Sequence, residues 1–256
     1  MLYYIHIPKT AGTSFRSFLK NAIYGDKLYE VYADVGYWNA REYRLLIRDY
    51  KVFFGHFSFG FHTLLKDTNP SYVTILRDPI ARIVSFYKHQ KLIPDAPWHN
   101  LICRENLSLR DFIESCITHE TNNHMVRILS ADYGVWPRLK YHTLNTYSSL
   151  VQNRKSFLTN SRKLLRRACR NIERDFLFVG TTDRIDRAAV FIADFHRINI
   201  DTIKVPVENV LTLEGLVLDR STRMAIENSN ELDLELYDRI SKSGLSPIDP
   251  SPIDLL

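Results

Sequence analysis

The stretch LYYIHIPKTAGTSF, residues 2–15, leaves this chain few folds to choose from. Residues 2–7 are apolar with little alternation, the pattern of a strand covered on both faces. Pro8 to Ser14 make a tight loop, after which Phe15, Phe18, Leu19, Ala22 and Ile23 recur at helical spacing. Strand, loop and helix in that order are the first half of a βαβ unit, which implies a parallel sheet. Further strands are expected at about 51–57, at 72–76 (YVTIL) and at 175–180 (DFLFVG), separated by helical patterns. Asp78 is placed to cap a helix opened by Pro79, with Ile80, Ile83, Val84 and Tyr87 as its buried stripe. Ser108 to Asp111 reads as a capping box, and helices follow at 161–174, 185–196 and 230–241. The expectation is one α/β domain over residues 1–245, a P-loop-like central parallel sheet flanked by helices. Residues 134–160 read as a surface insertion and 246–256 as a loose, proline-rich tail.

Apolar residues make up 45% of the 256, enough for a core and too many for a disordered chain. A net charge of +5 suits an anionic ligand but does not point to nucleic acid. Cys103, Cys116 and Cys169 are odd in number and lack a CxxC pair, so reduced thiols are expected. No stretch approaches the roughly 20 apolar residues of a membrane span. The opening apolar run stops at Pro8 without a basic lead, which argues against a signal peptide. A soluble, cytoplasmic protein is expected.

The loop carries a phosphate-binding composition in an unusual order. The common nucleotide loop GxxxxGK[ST] puts lysine after its last glycine, whereas Lys9 precedes the only glycine here, Gly12. A strand-to-helix loop aims backbone N–H groups and the positive helix end at one point. Gly12 would let that backbone approach an anion, and Thr10, Thr13 and Ser14 would add hydroxyl donors. The strand at 72–76 ends in Arg77, where a magnesium-dependent nucleotidase would want an acidic metal ligand. A phosphate held by cations and amides without metal is the expectation. His119 and His124 have a spacing open to metal, but no third ligand accompanies them.

PKTAGTSF resembles the 5′-phosphosulfate loop of sulfotransferases that use 3′-phosphoadenosine 5′-phosphosulfate (PAPS). LRDPIARIVSFY, residues 76–87, resembles their 3′-phosphate motif. GHFSFG at 55–60, ETNNHMVRILS at 120–130, RRACRNIERDFLFVGTTDRIDRAAVF at 166–191 and NELDLELYDRI at 230–240 are similar to segments of the carbohydrate sulfotransferases related to heparan sulfate 2-O-sulfotransferase. The resemblance implies that Lys9, Thr10, Gly12, Thr13 and Ser14 hold the 5′-phosphosulfate, with Lys9 stabilising the leaving phosphate. It implies that Arg77 and Ser85 hold the 3′-phosphate and that His56 is the general base. Asn123 and Arg127 would contact the acceptor, a hydroxyl, foremost of a carbohydrate. The product beside the sulfate ester would be 3′-phosphoadenosine 5′-phosphate (PAP), with no metal, nucleic acid or membrane span involved. The heparan enzyme carries a second histidine two places before this one, where the present chain has Phe54. Other PAPS-dependent sugar sulfotransferases use a glutamate soon after the first helix, which makes Glu30 the alternative base.

Plainer readings stand beside these. His56 is also placed to be a core histidine bonded to the main chain. Ser85 shares a polar helix face with Asp78, Arg82 and His89, and Arg127 is as well placed to be a solvated or ion-paired arginine. Arg162, Lys163, Arg166, Arg167, Arg170 and Arg174 form a basic stripe, by default a solvated face and otherwise a dock for an acidic polysaccharide or membrane. A non-catalytic binder of PAP or an anionic glycan, or a P-loop kinase requiring magnesium, are the rival functions.

Overall fold

The computed structural model describes residues 1–31, 48–132, 162–198 and 218–243, with Val205 and Leu216. The expected insertion at 134–160 and tail at 246–256 lie outside the described residues. One sheet of five parallel strands organises the rest: β1 Leu2–Ile5, β2 Leu28–Val31, β3 Val52–Gly55, β4 Ser71–Leu76 and β5 Phe176–Thr181, in the order β2-β3-β1-β4-β5. β1 and β3 are buried at every position, as their unbroken apolar runs require. β2 escapes the sequence reading because LYEV is short and half-exposed in its middle, as befits a sheet edge.

The helices are α1 Gly12–Phe18, which continues as a π-helical turn over Leu19–Tyr24, then α2 His62–Leu65, α3 Pro79–Leu92, α4 His99–Arg104 and α5 Leu109–Glu114. After these come α6 His124–Leu129, α7 Arg162–Asp175, α8 Ile185–Phe195, α9 Arg220–Ser229 and α10 Glu231–Ser243. Asp78 caps α3, its Oδ1 accepting from Ala81 N at 2.8 Å, and Ser108 with Asp111 closes a reciprocal capping box on α5. Along α3 the buried stripe takes Phe86 where Val84 was expected.

Side chains alternate across the sheet. Tyr3, Ile5 and Phe53 face a core shared with α6, α7 and α10, while Tyr4, Phe54, Val73 and Phe178 face one shared with α1 and α8. A third cluster joins α3, α4, α5 and Ile226 of α9. Cys103, Cys116 and Cys169 are free thiols.

β1 is where the strand order reverses. From it the chain builds β2 and β3 on one side, then crosses to build β4 and β5 on the other. In open α/β sheets that switch opens a crevice beyond the carboxyl ends of the strands, where ligands bind.

Candidate active site

The register of the three central strands decides what meets in that crevice. Ile5 pairs with Gly55 on one side and Thr74 on the other, so His6 and His56 leave the sheet together. Neighbours in a parallel pair point to the same face. Tyr4 therefore stacks on Phe54 at 4.5 Å, and one step along the face the ring of His6 stacks on that of His56 at 4.4 Å. His6 N donates to Gly55 O at 2.8 Å and His56 N to Val31 O at 3.0 Å. His56 Nδ1 lies 2.7 Å from the His6 carbonyl oxygen. A carbonyl only accepts, so Nδ1 carries the proton and Nε2 of the neutral ring keeps its lone pair. His56 is thus bonded to the main chain through Nδ1 and half-buried at the mouth of the crevice. A Cβ on Gly55 would lie 1.9 Å from Val31 O, so the neighbouring strand fills the space beside it.

The loop gains its curvature from residues other than its glycine. Lys9 and Ala11 take left-handed conformations, φ 70 and 59, at a cost of about 1–2 kcal/mol each. Gly12 serves a different need. α1 lies on the sheet with Phe15 stacked on Tyr4 at 5.2 Å, which brings Gly12 down onto the ring of His6. A Cβ on Gly12 would sit 1.8 Å from His6 Nε2. Thr10 is fully buried, and its hydroxyl donates to Ile7 O at 2.8 Å, so it braces the loop. Ser14 is buried and Thr13 half-buried at the start of α1.

Arg77 follows β4 and donates from one Nη to the Lys9 carbonyl at 3.1 Å, which ties the end of β4 to the loop after β1. Burial pushes the Lys9 ammonium down from its usual range, Arg77 pushes it further and Glu120 partly opposes them. Burial likewise lowers Arg77. His89, in the last turn of α3, is lowered by burial and then by the charge of Lys9. Ser85 lies one turn before His89 on α3 and is half-buried. Arg82 was expected on an exposed polar face and is instead fully buried, donating to Glu120 O at 2.5 Å. Asp78, Ser85 and His89 of the same face are half-buried.

Glu30, the alternative base, lies on β2 with its carboxylate 2.8 Å from Arg16 and 3.8 Å from Lys20. Asn123 and Arg127 are placed in a buried joint. Asn123 Oδ1 accepts from Leu232 N and Asp233 N at the start of α10, while Asp233 accepts from Met125 N and Val126 N at the start of α6. Asn230 Oδ1 accepts from Asn123 N. Arg127 is 3% exposed and donates to Asn122 and Asp132. These contacts hold the two helices together. In the basic stripe Arg162, Arg167 and Arg174 pair with Glu235, Asp132 and Asp175, while Lys163, Arg166 and Arg170 are exposed.

Sequence reasoning missed His6, His89 and Glu120. The signal for His6 was present: equal registers at the ends of LYYIH and VFFGH put the two histidines side by side.

Among the described residues no group of three or more His, Cys, Asp or Glu is placed to hold a metal ion, and no helix is long and apolar enough to cross a membrane. A family model described as the sulfotransferase family matches residues 1–238, from the first strand into α10. No curated protein matches the chain.

Proposed function

The chain belongs to the sulfotransferase family, and on that premise we propose that it moves a sulfuryl group from PAPS to a carbohydrate hydroxyl with His56 as the base. The observation that carries this reading is the meeting of three strand ends. The loop after β1, His56 after β3 and Arg77 after β4 share the crevice at the switch point. The donor suits these residues: Lys9 is a half-buried cation pressed by Arg77, so an anion placed between them would relieve both burial and repulsion.

Bound PAPS supplies a sulfuryl group already joined to a phosphate leaving group. His56 Nε2 takes the acceptor's proton as the acceptor oxygen bonds to sulfur. The bond from sulfur to the 5′-phosphate oxygen breaks, and its electron pair stays on that oxygen. Lys9 and the loop N–H groups meet this charge, a kind of stabilisation worth about 3–4 kcal/mol for a single donor. The products are a sulfate ester and PAP, and His56 returns its proton to solvent. The step as written uses no metal. The carbohydrate acceptor rests on the similarity of four segments to the heparan-type enzymes.

Thermal unfolding with PAP, ADP and ATP, each with and without magnesium, tests the donor. PAP at about 100 times its Kd should add roughly 2.7 kcal/mol. In His56→Ala that stabilisation should persist while PAPS turnover falls by about 10²–10⁴. Stabilisation by ATP with magnesium and not by PAP would replace this reading with a kinase. PAP binding with no turnover on any sugar would leave a binding module.

A further inference from the structure

His6 has no part in the chemistry above, yet it touches both halves of it. Its carbonyl fixes His56 Nδ1 at 2.7 Å, and its ring stacks on His56 at 4.4 Å with an interplanar angle of 27°. The opposite side of the contact is the loop: a Cβ on Gly12 would lie 1.8 Å from Nε2, 2.0 Å from Cδ2 and 2.5 Å from Cε1 of His6. Phe54 limits the ring from below at 5.3 Å. The backbone of His6 is held as firmly, through its N–H to Gly55 O. The imidazole therefore occupies the whole gap between the residue at which α1 begins and the residue that takes the acceptor's proton.

We propose that the His6 imidazole is a positioning residue, wedged between Gly12 and the ring of His56 so that it sets the distance between the donor loop and the base. This rests on the reading of His56 as the base. In-line transfer is sensitive to such spacing, since a displacement of about 1 Å can cost on the order of 10²-fold in rate. An imidazole also suits the place electrostatically. Burial, then His56, Lys9 and Arg16, hold its pKa well below the ordinary histidine range, so it stays neutral beside a ring that gains charge. A fixed cation there would oppose proton uptake by His56.

The test compares the wild type with His56→Ala, His6→Ala, Gly12→Ala and the double variant Gly12→Ala/His6→Ala. PAP release from PAPS, with water as acceptor, gives turnover, and thermal stabilisation by PAP gives donor binding. His6→Ala should bind PAP within about threefold of wild type and lose about tenfold or more in kcat. Gly12→Ala drives its methyl into the ring and should weaken both. The double variant, with that space open, should regain PAP binding and not turnover, a coupling that independent sites would lack.

Wild-type kcat in His6→Ala, beside a collapsed His56→Ala, would overturn the spacer and leave the base standing. Unchanged turnover in His56→Ala would overturn the base itself. Should His6→Ala fail to fold, imidazole ¹⁵N spectra and cross-relaxation of the wild type decide. His56 protonated at Nδ1, with the His6 ring in contact with the Gly12 Hα, is expected; an Nε2–H tautomer or no such contact would overturn the proposal.

Discussion

The crevice at the ends of β1, β3 and β4 and the joint between α6 and α10 are both assembled from polar side chains set against apolar core. In the joint, Asn123, Asn230 and Asp233 satisfy the first N–H groups of two helices, each helix capped from the other. Arg82 and Arg127 offset the charge of Asp233, and the whole assembly is removed from solvent. In the crevice, Lys9 and Arg77 are half-buried like charges, and Lys9 and Ala11 carry left-handed backbone. The joint is a finished structure. The crevice holds repulsion and strain that a bound anion can relieve, and such stored cost gathers at functional sites.

Charge removal should therefore act in opposite directions in the two regions. Asp233→Ala leaves the N–H groups of Met125 and Val126 without an acceptor and removes the buried carboxylate that sits in the field of Arg82 and Arg127. A loss of about 3–5 kcal/mol is expected, a large part of the whole stability of an ordinary domain, about 5–15 kcal/mol. Lys9→Met should hold or gain stability in the same urea titration while losing PAP binding. Equal destabilisation by the two variants would erase the distinction.

Arg77→Ala sharpens the crevice side. If its guanidinium meets the 3′-phosphate, charge-assisted hydrogen bonds worth about 1.5–3 kcal/mol disappear, which is roughly 10- to 150-fold in Kd for PAP. ADP lacks that phosphate, so its weaker binding should barely change. Calorimetric titration of both ligands reads the difference, and a parallel loss for ADP would move Arg77 away from the 3′ position.

Most of the fold was legible because short-range signals state it directly. The apolar runs of β1, β3, β4 and β5, the Asp78-Pro79 helix start and the Ser108–Asp111 capping box all stand in the structure with shifts of a few residues at strand ends. The site was legible as a set of motifs and illegible as a packing problem. Gly12 reads as a backbone freed for a ligand, and only the seating of α1 on the sheet reveals the histidine beneath it. Arg82 reads as part of an exposed polar face because helix periodicity cannot say that a second helical layer covers it. Asn123 and Asp233, 110 residues apart in the bond between Asp233 N and Asn123 Oδ1, form a motif only once α10 has folded back.

The smallest expected effect concerns protons, and it again separates the fold from the site. Burial lowers the pKa of His6, His62, His89 and His196. For each, the unfolded chain binds protons more readily than the native one, so ligand-free stability should fall as pH drops below about 6.5. PAP binding should respond in the other sense. Part of the depression at His89 comes from Lys9, and phosphates seated beside Lys9 would favour the charged forms of both. The complex then holds more protons than the free protein, and Kd should tighten as pH falls over the same interval in which the free fold weakens. Calorimetry in two buffers of different ionisation enthalpy measures this as uptake of a fraction of a proton per PAP bound. No uptake, or release, would mean that the phosphates do not reach the Lys9 and His89 side of the crevice, and the loop's lysine would lose its place beside the leaving group.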